Sequence, residues 1–156
     1  MRTILHAMFG TIALTLVSTS LLASMVSEFW YSQEVISEVK ELILQGMLLL
    51  VAILSLTAIF GLILSKKRRG SIIEAKKKRM IWIFLIAILV LLPDAYLMNL
   101  HSQTEGTGWL YFLPLAIEYI FDVIILILLG LNFLDGGKLV RQSVLGLDDK
   151  QVLKGR

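Results

Sequence analysis

Four predominantly apolar stretches, each about as long as a bilayer is thick, leave this chain few ways to fold. They run over residues 3–26, 42–64, 81–100 and 109–134. A hydrocarbon core is crossed by about 20 apolar residues in helical form. Runs of this length are too long for buried strands. Backbone groups in lipid must be satisfied within their own segment, which a helix does. Composition agrees, with 57% hydrophobic residues and a mean hydropathy of +0.82. The expected fold is all-α: a four-transmembrane-helix antiparallel bundle over residues 1–134, with a polar tail over 135–156.

The first stretch has the outline of a signal peptide, with Arg2 before it and small residues at Ala23 and Ser24. A signal h-region is only about 7–15 residues long, so the run is read as a retained helix. Charge sets its direction. Residues Ser65–Met80 hold eight Lys/Arg and one Glu, whereas Ser27–Glu41 holds four Glu and one Lys. His101–Gly108 holds one Glu and no base, and residues 135–156 hold five bases and three acids. With Arg2, fourteen of the fifteen bases fall on one side. The positive-inside rule assigns that side, and with it both termini, to the cytoplasm.

Aromatic residues mark the boundaries. Phe29, Trp30 and Tyr31, and then Tyr96, Trp109, Tyr111 and Phe112, are read as outer anchors; Trp82 and Phe84 are read as inner ones. The basic clusters suit a topology signal beside anionic lipid. They lack the aromatic and motif context of a nucleic-acid module, so nucleic acid is not an expected partner. The tail begins with Gly136-Gly137, read as a break before an interfacial helix or a docking arm.

The chemistry-bearing residues are polar ones inside the stretches. Asp94, Glu118 and Asp122 lie about 9, 13 and 19 Å below the outer surface, at 1.5 Å of rise per residue. Glu118 and Asp122, spaced i, i+4, share a helix face. A mid-membrane acid costs about 2.5–3.5 kcal/mol on insertion scales, and no Lys or Arg falls within the four stretches as bounded above. Protonation, a bound cation, a water-filled cleft or a base from a partner chain would offset that cost. The three acids, with His101 at the end of the third stretch, are the candidate proton, cation or partner site. Hydrogen bonding that only fixes packing is the plainer alternative.

His6 opens the first stretch and shares a face with Gly10, Ala13, Val17, Ser20 and Ser24, a small-residue stripe suited to close helix approach. His6 and His101 fall at opposite surfaces, about 25–30 Å apart by helix length, so one chain cannot offer both to a single haem. Asp94, Glu118 and His101 are metal-compatible ligand types, but the E-x-x-H spacing of bundle metal sites is missing, and no metal is expected. The sequence contains no cysteine, which excludes disulfides and thiolate chemistry. It also lacks a phosphate-binding loop, a nucleophile elbow and a dinucleotide fingerprint.

Leu5-His6-Ala7 with Gly10, Ser27-Glu28, Ala75-Lys76 through Arg79-Met80, Pro93, Glu118, Leu131-Asn132 and Asp135-Gly136 form a pattern along most of the chain. It resembles a group of small, uncharacterised bacterial four-helix inner-membrane proteins. The resemblance implies a bacterial inner-membrane location and no particular activity. More loosely, the chain is similar to four-helix haem-b membrane proteins of the copper-resistance and protoporphyrinogen-oxidase types. That likeness implies haem b, with His6 as the cofactor-binding residue. Two expectations follow. The first is a non-catalytic accessory or assembly subunit of a larger membrane complex, with lipids and other membrane subunits as partners. The alternative is a haem- or quinone-linked redox or proton-handling membrane protein.

Overall fold

The computed structural model describes residues 2–65, 71–103 and 108–144, and within these it is helical almost throughout. Four helices follow one another up and down: α1 (Arg2–Trp30), α2 (Gln33–Ser65), α3 (Ser71–Ser102) and α4 (Trp109–Val144). All four are long and apolar enough to cross a membrane. The protein is an all-α, multi-pass membrane protein. Below, the basic end is the one where α1 starts and α2 ends, and the acidic end is the one where α1 ends and α4 starts.

The seam of each helix explains the packing. In α2 the buried stripe runs through Ile36, Lys40, Ile43, Met47, Leu50, Leu54 and Thr57, with Ile53 buried beside it. In α4 it runs through Tyr111, Leu115, Glu118, Asp122, Ile125, Leu129 and Asn132, with Pro114 buried beside it. Alternating steps of three and four keep one narrow stripe facing the neighbours, the geometry of near-antiparallel bundles. The stripe on α1 is Ala13, Val17, Ser24 and Ser27. α1 packs most extensively on α2 and also touches α4, while α3 closes the ring between α2 and α4. The outward faces carry exposed Leu, Ile and Val, as lipid requires.

α3 departs from a regular α-helix. A π turn occupies Ala87–Leu91, closed by a bond from the Leu92 N–H to the Ala87 carbonyl. Pro93 follows and has no N–H to give. The wider turn suits a seam with successive steps of four at Ile83, Ala87, Leu91 and Ala95. It leaves Asp94 and Ala95 both buried.

Several sequence boundaries are corrected. The helices outrun the apolar stretches, so the expected loop over Ser27–Glu41 shrinks to Tyr31 and Ser32. The Ile36 N–H already bonds the Ser32 carbonyl at 3.0 Å. Polar Gln33, Glu34, Glu38 and Glu41 extend α2 by two turns because its apolar seam continues beneath them. Residues 71–80 are helical rather than loop, and Gly136-Gly137 does not break α4, which continues to Val144. The expected tail beyond Val144 lies outside the described residues. Phe29, Trp30, Tyr31, Tyr96, Trp109, Phe112 and Trp82 are exposed, as anchors should be, but Tyr111 is buried and has another task.

Candidate functional site

Lys40 is the side chain that organises the acidic half. It is 1% exposed, two helical turns inside α2. Its ammonium has three N–H donors and three oxygens around it. Ser24 Oγ lies at 2.6 Å, Glu118 Oε2 at 2.7 Å and Glu28 Oε1 at 3.6 Å. The Tyr111 hydroxyl donates to Glu28 Oε1 in turn. α1 thus supplies Ser24 and Glu28, α2 supplies Lys40, and α4 supplies Tyr111 and Glu118. A charge here is tolerable because two of its donors make short hydrogen bonds and Glu28 adds a second carboxylate nearby, which together offset its desolvation.

The sequence reading placed Lys40 in an outer loop and so found no base for the intramembrane acids; the structure overturns that. The signal was legible. Lys40 sits in register with Ile36, Ile43 and Met47, so it lies on the apolar stripe rather than among the solvated glutamates. Glu28 and Tyr111 were missed likewise: the first was counted as loop charge, the second as an interfacial anchor.

Asp94, Glu118 and Asp122 are all buried and face the interior. Asp94 and Asp122 lie within electrostatic reach of both Glu118 and Lys40. One buried ammonium therefore serves four carboxyls: Glu28, Asp94, Glu118 and Asp122. Asp94 Oδ2 and Glu118 Oε1 are buried without a hydrogen-bond partner. Nothing among the described residues hydrogen-bonds Asp122. His101 is half-exposed at the end of α3, with Nδ1 2.7 Å from the Leu97 carbonyl of its own helix. Among the described residues, no three His, Asp or Glu side chains are placed to hold a metal ion.

The basic end is built differently. His6 Nδ1 lies 3.0 Å from the Thr57 carbonyl oxygen. A carbonyl only accepts, so the proton is on Nδ1. The ring lies against Gly61, where an added Cβ would come within 3.2 Å of His6 Cε1. This is the close approach the sequence sought along the α1 stripe. Gly10 does not provide it, since a Cβ there would meet nothing within 4 Å. Arg79 of α3 pairs with Asp135 of α4, which also accepts from Lys138 at 3.2 Å. For haem, His6 Nε2 has no hydrogen-bond partner among the described residues, but the second histidine, His101, stands at the opposite end, so the two form no bis-histidine pair.

No family model matches the chain, and no curated protein or solved structure is similar to it. Fold and site together define a class: a polytopic α-helical membrane protein with an acid-rich charge network buried in one half of its bundle.

Proposed function

We propose that the protein is a proton-handling membrane protein, working at the Lys40–Glu118 network with Asp94 and Asp122. One observation carries the reading: three buried carboxyls, Asp94, Glu118 and Asp122, and the partly buried Glu28 share a single buried ammonium. Were all four ionised, the site would hold a net charge of −3 in a medium that solvates none of it. Protons are the simplest neutralising species, and acids that share protons within one network can pass them on. The charge rule assigns the helix ends that carry the basic clusters to the cytoplasmic side. The network then lies nearer the outer surface.

The experiment is proton movement in proteoliposomes with an entrapped pH dye. Glu118→Gln keeps the side-chain shape and a partner for Lys40 but removes the titratable group. Its predicted result is an intact fold with proton movement reduced to that of empty vesicles. Unchanged proton movement would refute the reading.

An accessory or assembly subunit is the second reading, favoured by a shallow apolar depression on the outer face. Leu44, Leu48, Leu92, Pro93 and Tyr96 form it between α2 and α3, and it suits a helix of another subunit. With Lys40 inside the bundle, a base from a partner chain is not needed to pair Glu118. A photo-crosslinker at Leu48 that captures a discrete membrane protein in cells would support this reading.

A further inference from the structure

A cleft of about 250 Å³ opens between α1 and α2. Val17, Ser20 and Ala23 of α1 and Ile43 and Gly46 of α2 form its walls, and Asp122 of α4 lies within it. The walls are almost wholly apolar, and no aromatic ring is among them. Asp122 is 3% exposed, and no donor among the described residues bonds its carboxyl. A Cβ on Gly46 would meet nothing within 4 Å, so the space beside α2 is open.

We propose that this cleft binds an apolar molecule carrying one protonated amine, with the ammonium on Asp122 and the hydrocarbon along α1 and α2. The chemistry of the walls selects that class. A carboxyl without a hydrogen-bond donor, sharing one distant ammonium with three other acids, calls for a further cation. Without aromatic faces a quaternary ammonium has no cation–π partner, whereas an amine N–H donates to Asp122 and to the Ser20 hydroxyl. The volume is about eight times the ~30 Å³ share of one water in the liquid, which fits a medium-chain alkylamine. The inference builds on the proton-handling reading, because an amine arriving at Asp122 exchanges with the proton that otherwise neutralises it. It names the substrate class of that network.

The test is equilibrium binding of radiolabelled octylamine to the full chain in nanodiscs, corrected for partition into protein-free discs. A charge-assisted hydrogen bond is worth about 1.5–3 kcal/mol, so Asp122→Asn should weaken binding about tenfold or more. Octanol, which has the same tail and no charge, should bind weaker by a similar factor. Gly46→Leu fills the cleft without touching the Lys40 contacts and should abolish binding; it carries the test if Asp122→Asn fails to fold. Equal affinity for octylamine and octanol, or full affinity in Gly46→Leu, would overturn the proposal. The two readings fail separately. Octylamine binding that depends on Asp122, without proton movement in vesicles, keeps the amine site and removes the transport role. Glu118-dependent proton movement with no preference for octylamine over octanol does the reverse.

Discussion

The two halves of this bundle solve the problem of polar groups in a membrane in opposite ways. In the acidic half, acids outnumber bases and the ion pair is dry: Lys40 and Glu118 have side chains 1% and 6% exposed. In the basic half, bases outnumber acids and the pair sits at the rim: Arg79 and Asp135 are 18% and 17% exposed. The first arrangement is costly to build and costlier to break, because removing one partner strands the other in a low-dielectric core. The second is within reach of water and counterions, so either partner can be rehydrated.

The comparison can be broken most forcefully at Lys40. Lys40→Met leaves Glu118 and Glu28 without a cation and should destabilise the bundle by about 3–5 kcal/mol, measured by reversible unfolding in mixed detergent micelles. A loss no greater than that of an average surface substitution would mean the pair is wet. The next effect belongs to the basic half. Gly61→Leu drives carbon into the His6 ring and should cost about 1–3 kcal/mol through overpacking. Gly10→Leu should be close to silent, since its Cβ meets open space. The smallest effect is expected from Arg79→Ala, about 1 kcal/mol or less and diminishing with added salt. An Arg79→Ala penalty matching that of Lys40→Met would erase the distinction between the halves.

How much of this was legible in the sequence follows the same division. The spans, the bundle and the inward placement of Asp94, Glu118 and Asp122 could be read because hydropathy and the cost of charge in lipid act over many residues at once. Lys40 was lost because composition drew the helix boundary. Glu34, Glu38 and Glu41 around it read as a solvated loop, although Ile36, Lys40 and Ile43 keep helical spacing. Tyr111 was lost because an aromatic beside Trp109 and Phe112 reads as an interfacial anchor, and nothing local says that its hydroxyl meets Glu28. The cleft at Asp122 depends on how far α1 and α2 splay, which no short pattern encodes. The tight glycine is also a three-dimensional fact. Gly10 sits in a stripe and packs on nothing within reach, whereas Gly61 receives a histidine from another helix.

Lys40 and Glu118 should behave energetically as one unit, buried in the bundle. A double-mutant cycle with Lys40→Met, Glu118→Leu and the combined variant tests it directly. Lys40→Met strands Glu118 and Glu118→Leu takes from Lys40 its nearest carboxylate, whereas the pair of changes replaces both ions with apolar groups. The double variant should therefore be much more stable than the sum of the single losses implies, with a coupling of about 2–3 kcal/mol. Coupling within about 0.5 kcal/mol of zero, the range of independent sites, would contradict the account.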